Sequence, residues 1–373
     1  MGTPVVWESF YFERDLFGNI TAISINGSQT NRYVYDDIGQ LIREDDILKG
    51  KTIVYTYDKA GNISSVKTYA LAAAGVTPSG NRILDTYSYS SSEWGDLLMS
   101  YNGQDITYDG IGNPISYYNG FTFAWQGRRL VGATRGSDTL SFTYNDDGIR
   151  TSKTVNGVKT TYYLSGSQIL AEVTPSYEIM YIYDAAGAPV GMQYRSFTYA
   201  NGVYDVYFFE KNLQGDILAV YGADGTKYIE YTYDSWGSFT TTYHNGGGST
   251  SAVNNRFTYR GYYYDSDLGM YYLNARYYDQ NIRRFVNADG QISGVGGDIA
   301  GYNMFAYCMN NPVNMSDPSG NWPGWVSKAI AIAAVAAVVV TAVVVTVAAK
   351  CYLRIIATVR IRNYISWNWA ICA

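Results

Sequence analysis

Cysteine is nearly missing from the 373-residue chain: Cys308 is the only one before residue 351, and only Cys351 and Cys372 follow it. Three widely spaced cysteines make neither a disulfide framework nor a zinc pattern. His244 is the single histidine. A His-based nucleophilic triad and a histidine metal site are therefore excluded, and its place beside a glycine-rich loop reads as a solvated position. No loop carries the spaced acids of a dedicated calcium site, so neither a metal nor a cofactor is assigned. Clustered bases are also lacking. Residues 321–373 hold Lys328, Lys350, Arg354, Arg360 and Arg362 and no acid, which leaves 22 of the 27 bases against all 32 acids over residues 1–320. An acidic region of this kind is a poor nucleic-acid binder, and no such partner is expected. The segment Met1-Gly2-Thr3-Pro4-Val5-Val6-Trp7-Glu8 has neither a basic n-region nor an apolar h-region. No signal peptide is visible, so export would need a longer parent chain or another route.

What the chain has in abundance is tyrosine and glycine, 39 and 38 residues against 8 prolines. Strand-forming aromatics alternating with turn-forming glycines are an all-β signature. A repeat emerges when the aspartates that follow tyrosines are aligned. Tyr33-Val34-Tyr35-Asp36-Asp37-Ile38-Gly39 matches Tyr55-Thr56-Tyr57-Asp58-Lys59-Ala60-Gly61, and further copies carry Asp109, Asn145, Asp184 and Asp234. Two longer variants, Phe12–Ile20 and Phe209–Ile217, match each other. Each copy reads as one hairpin. Its two tyrosines share a strand face, where they can stack on a neighbouring ring. Asp opens the turn by accepting a backbone hydrogen bond two residues on, and Gly supplies the positive φ that closes it. An apolar residue such as Leu41, Ile63 or Ile217 then starts the return strand. One such unit cannot bury both faces, so the copies are expected to pair into one curved antiparallel sheet. Phe121–Trp125 and Thr161–Leu164 fill gaps as degenerate strands, while Leu71–Asn81 and Asn245–Asn255 read as surface loops.

The longest distinctive stretch is residues 256–320. It includes Arg256-Phe257-Thr258-Tyr259-Arg260-Gly261-Tyr262-Tyr263-Tyr264-Asp265, Leu268–Asp279, Arg284–Asp289, Asn303–Cys308, Asn310–Asn314 and Asp317-Pro318-Ser319-Gly320. This stretch resembles the Rhs-repeat-associated core domain, and the upstream copies resemble the YD repeats of the same family, which includes Tc toxin C subunits and the teneurin shell. The resemblance implies a β-strip coiled into a hollow shell, a core domain closing one end, and an enclosed effector beginning beyond the Asp-Pro-x-Gly motif. It also implies self-cleavage by an aspartyl-protease-like pair. Asp289 and Asp317 match the two family aspartates, and the cut bond would join Asn321 to Trp322. Two close carboxylates cannot both ionise, which gives the acid and base that such chemistry needs. The chain departs from the family pattern at Ala288, where some members have Arg, at Gly290, where many have Pro, and at Asn321, where cleaved members usually have Leu. Asp317-Pro318-Ser319-Gly320 also fits a plain turn, and that reading stays open.

The tail contains Ala329–Ala349, 21 residues of Ala, Ile, Val and Thr between Lys328 and Lys350. Its length suits one apolar membrane-spanning helix, with the bases that follow placed in a cytosol. The 24 residues beyond it are too few for a folded catalytic domain. The expected division is therefore repeat sheet over 1–255, core domain over 256–320, and apolar helix with a basic tail over 321–373. The expected function is a cell-surface or secreted scaffold of an Rhs-type polymorphic-toxin system. Its partners would be its own C-terminal effector or an upstream repeat segment, and a membrane through Ala329–Ala349. Two rivals stay open: an adhesion protein that binds cell-wall carbohydrate through its tyrosines, and a remnant that has lost its toxin.

Overall fold

The turns of the repeat are built by their aspartates. In the computed structural model, which describes residues 9–92, 94–290 and 303–321, Asp36 Oδ1 accepts the N–H groups of Ile38 and Gln40 at 3.1 and 2.8 Å. The Gln40 amide donates to Asp36 Oδ2 at 2.7 Å, and Gly39, at φ +85°, donates its N–H to the Asp36 carbonyl. Asp58 with Asn62 and Asp109 with Asn113 repeat this arrangement, so both carboxylate oxygens are used in each turn. In the copy at 212–216 the roles are exchanged: Asn212 opens the turn, and its amide donates to Asp216 at 2.7 Å. In several copies the apolar residue that starts the return strand goes straight into the core, as Leu41, Ile63 and Ile217 do.

The two tyrosines of a copy do different work. The first is buried, as at Tyr33, Tyr55, Tyr181 and Tyr231. The second turns its hydroxyl to a backbone carbonyl at the start of the preceding, neighbouring strand. Tyr35 donates to Ile20 O, Tyr57 to Leu41 O, Tyr89 to Ile63 O, Tyr144 to Leu130 O and Tyr233 to Ile217 O, at 2.6–2.9 Å. In four of the five the accepting residue is the apolar one that opens a return strand, and Leu130 is second in its strand, Arg129–Arg135. The recurring tie between copies is therefore a hydroxyl on a carbonyl rather than the expected ring on a ring.

Pairing follows the sequence. Among the described residues nine strands, from Phe10–Arg14 to Gln104–Asp105, form one sheet in chain order. Fourteen more, from Thr107–Tyr108 to Phe239–Tyr243, form a second sheet in the same manner. All neighbours are antiparallel, and the register often shifts by one residue where a strand enters a repeat turn, as at Val34/Tyr35 and Thr56/Tyr57. A third sheet is made of Tyr263–Asp265, Met270–Leu273, Arg276–Asp279 and Arg284–Phe285.

The third sheet is buried on both faces. Tyr271, Leu273 and Tyr278 pack in one hydrophobic cluster with Leu41, Tyr55 and Ile63 of the first sheet. Their strand neighbours Met270, Tyr272 and Tyr277 pack in another cluster with Phe142, Tyr162 and Ile179 of the second. Alternation along each strand sends successive side chains to opposite faces, so runs of adjacent aromatics are what a doubly covered sheet requires. A buried ion cluster ties the second sheet to the third: Arg150 and Lys153 reach Asp265 at 2.6 and 2.8 Å, and the Arg150 guanidinium lies 4.3 Å from the Tyr272 ring centre. These two cations hold the Asp265 carboxyl well below the usual carboxylate range despite its burial.

Asparagines join the 303–314 segment to the first sheet. Asn303 donates to the Asn62 side chain, Asn310 to Gln40 and to Gly61 O, Asn311 to Asn19, and Asn314 to the Tyr35 hydroxyl, at 2.7–3.1 Å. Three successive repeat turns are thus read by one strip of amides. Arg260 makes the matching link to the second sheet, donating to Gln214 O and Pro312 O at 3.2 and 2.5 Å.

The apolar helix expected at Ala329–Ala349 is not borne out. That segment lies outside the described residues, and those contain as helix only short 3-10 turns such as Ser251–Asn254, none long and apolar enough to cross a membrane.

Candidate functional site

Arg276 gathers the site. It lies in a strand of the third sheet, fully enclosed, with its guanidinium carbon 3.5 Å from the centre of the Phe285 ring. Its Nη2 lies 2.9 Å from Asp289 Oδ2 and 3.6 Å from Asp317 Oδ2, so the two sequence-predicted aspartates meet at one nitrogen. The remaining donors are also used: Nη1 binds the Met304 carbonyl at 3.1 Å, and Nε binds the Gly320 carbonyl at 2.5 Å. A planar fork that engages two carboxylates and two backbone carbonyls holds the turn after Asp317 against the strand that carries it.

The aspartates are not equivalent. Asp289 has the closer contact with the guanidinium. Asp317 is buried, and burial pushes its carboxyl above the ordinary range although Arg276 and the hydrogen bonds from Ser319 and Gly320 pull it down. Its Oδ2 has no hydrogen-bond partner among the described residues. Its Oδ1 accepts the Gly320 N–H at 2.9 Å and faces Ser319 Oγ at 3.3 Å. Burial thus favours a proton on Asp317, the form an acid in such a pair would need. The backbone N–H of Asp317 donates to the Tyr262 hydroxyl at 2.8 Å, which fixes the start of the turn.

The turn itself leaves no room for variation at its glycine. Gly320 has φ +66°, and a β-carbon there would sit 2.5 Å from the Leu273 carbonyl oxygen. The chain then emerges: Gly320 is buried and Asn321 is exposed. Ser319 Oγ accepts the Asn321 N–H at 3.1 Å and lies 3.1 Å from the Asn321 carbonyl oxygen. Trp322, the other side of the expected cut, lies outside the described residues.

Sequence reasoning picked out Asp289 and Asp317 but missed Arg276 and Ser319. Ala288 stands where some members of the resembled family have Arg, and here a cation reaches the aspartates from Arg276, in the strand Arg276–Asp279. His244 lies away from this cluster, half-exposed, with Nε2 3.0 Å from Glu230.

Comparison with known proteins gives a consistent picture. No protein-family model matches the chain. It is 32% identical over 296 residues to the tRNA3(Ser)-specific nuclease WapA of Bacillus spizizenii, covering 77% of this chain and 12% of that protein. It is 33% identical over 300 residues to the tRNA nuclease WapA of Bacillus subtilis, again covering 12% of it. The double-stranded DNA deaminase toxin A of Burkholderia cenocepacia is 26% identical over 355 residues. At a coarse level these similarities fit an Rhs-type family. The chain spans about one eighth of the length of the WapA relatives. Among solved structures, TccC3 in complex with TcdB2 superposes with a TM-score of 0.65 at 20% identity, over 84% of this chain and 17% of that one. A Photorhabdus luminescens Tc holotoxin pore gives 0.64 at 19% identity over 86% of this chain and 17% of that one. At such identities the likeness is one of fold.

Proposed function

We propose that the chain is the repeat-and-core portion of an Rhs-type polymorphic toxin, which encloses or presents the segment beyond Asn321 and frees it by cutting its own backbone there. One observation carries the reading: Arg276 brings Asp289 and Asp317 to a single nitrogen, with the Asn321 peptide held two hydrogen bonds away. Asp289 is the base that takes a proton from water, and Asp317 is the acid that protonates the departing nitrogen of Trp322. Asp317 is enclosed while Asn321 is open to solvent, so water can reach the peptide without flooding the carboxyls. The similarity to the WapA nucleases and the deaminase toxin supports a toxin context.

The test is direct. Purified protein is expected to contain a fragment that ends at Asn321, and Asp289→Asn and Asp317→Asn are each expected to leave the chain whole. Cutting that persists unchanged in both variants would remove the aspartyl assignment. A whole wild-type chain would remove self-cleavage itself.

A further inference from the structure

We propose that Ser319 is a catalytic residue of the cleavage, donating a hydrogen bond from its hydroxyl to the Asn321 carbonyl oxygen as charge gathers there. The inference rests on the self-cleavage reading above and assigns a role that Asp289 and Asp317 do not fill.

Three contacts converge on Ser319 Oγ. It accepts the Asn321 N–H at 3.1 Å, faces Asp317 Oδ1 at 3.3 Å, and lies 3.1 Å from the Asn321 carbonyl oxygen. A hydroxyl has one proton and two acceptor positions. The Asn321 N–H fills one acceptor position, so the proton has two destinations, Asp317 Oδ1 and the Asn321 oxygen. Oδ1 already accepts the Gly320 N–H at 2.9 Å. When Asp317 carries a proton its pull on the serine is that of a neutral acid, and the carbonyl becomes the better acceptor. The serine is thereby aimed at the one oxygen in the turn whose charge grows during hydrolysis.

The remaining geometry supports this aim. Arg276 Nε holds the carbonyl of Gly320, one residue earlier, and the left-handed Gly320 turns the Asn321 peptide back over Ser319. None of the described cations contacts the Asn321 oxygen, so the serine is its only hydrogen-bond donor among the described residues. A donor already in place when the oxygen is neutral, and stronger when it is charged, stabilises the transition state more than the ground state.

The step balances. Water oxygen bonds to the Asn321 carbonyl carbon while Asp289 takes one water proton, and the carbonyl oxygen becomes an alkoxide hydrogen-bonded to Ser319. The carbon–nitrogen bond to Trp322 then breaks, the carbonyl re-forms, and the nitrogen takes the proton held by Asp317. The products are an acid at Asn321 and an amine at Trp322, and the aspartate pair retains the single proton with which it began.

The test follows the full chain in cell-free translation, with a pulse of labelled amino acid and timed samples resolved by size. Ser319→Ala is expected to slow cutting by about 100-fold, the scale of removing one oxyanion donor. Ser319→Thr, which keeps the hydroxyl, is expected to stay within about 10-fold of wild type by the same reasoning. Circular dichroism on a purified chain carrying Asp317→Asn with and without Ser319→Ala checks that the serine change leaves the fold intact. Ser319→Ala cutting at the wild-type rate while Asp317→Asn is inert overturns the serine proposal and leaves the aspartyl reading standing. Equal loss in Ser319→Ala and Ser319→Thr also overturns it, because the hydroxyl would then not be the feature that matters. An uncut wild-type chain overturns both.

Discussion

Glu44 offers the sharpest test of how the two large sheets are fitted together. It is buried beneath the turn at Asp234 and Ser235, its Oε2 accepts the Tyr55 hydroxyl at 3.0 Å, and Tyr55 in turn packs on Trp236. Burial first, and then the nearby Asp234 and Asp46 charges, push its carboxyl up to about 7, against the hydrogen bond from Tyr55 that favours the ionised form. A carboxyl with a raised folded value binds its proton more tightly when folded than when unfolded. Stability is therefore greatest below the unfolded value of about 4.5, falls as pH rises towards 7, and is level above it. At about 1.4 kcal/mol for each unit, the fall contributed by Glu44 alone is about 3 kcal/mol. Glu44→Gln keeps an acceptor for Tyr55 and removes the titration. Amide exchange of Leu41–Asp46 and Lys51–Tyr57, measured at pH 5 and pH 8 and corrected for intrinsic rates, reads the local opening free energy. The wild type is expected to lose protection in those strands relative to the variant by about 2 to 3 kcal/mol between the two pH values. Parallel behaviour of the two proteins would show that Glu44 is not held neutral by the seam, and the reasoning would fail.

Other outcomes follow from the same contacts. Tyr57→Phe and Tyr144→Phe each remove one hydroxyl–carbonyl tie and are expected to cost about 1 kcal/mol, additively because the sites share no partner, as read from urea midpoints of the single and double variants. Arg150→Ala strips Asp265 of one of its two cations in an enclosed site and is expected to destabilise by about 3 to 5 kcal/mol. The stability that Asp265 supplies is present above its unfolded value and lost as pH falls through its depressed folded value, so acid unfolding of the Arg150→Ala chain should begin at higher pH. Gly320→Ala forces a β-carbon onto the Leu273 carbonyl in a left-handed position and is expected to abolish cutting while leaving the circular dichroism of the sheets unchanged.

What could be read from the sequence was local. Asp36, Asp58 and Asp109, followed three residues later by glycine, specify their turns through bonds spanning two to four residues, and the pattern alone dictates them. The second tyrosine of each copy escaped, because its hydroxyl reaches a carbonyl whose place depends on strand pairing: Tyr57 and Leu41 are adjacent only once the intervening hairpin has formed. The doubly covered third sheet did leave a signal. The adjacent aromatics Tyr271-Tyr272 and Tyr277-Tyr278 demand burial on both faces, unlike the alternating pairs of the repeats. Arg276 left none, since nothing local relates a strand residue to a turn more than forty positions later. The asparagines from Asn303 to Asn314 were recognisable only as a motif, and their partners Gln40, Asn62 and Tyr35 show that they are the counterpart of the repeat turns.

The central claim is that two aspartates joined through Arg276 open the peptide bond after Asn321. Intact-mass analysis of the freshly purified chain, followed by amino-terminal sequencing of the smaller species, tests it most directly. The account predicts a small fragment whose first residue is Trp322. A single species at 41.4 kDa, or a fragment beginning at any other residue, would contradict it.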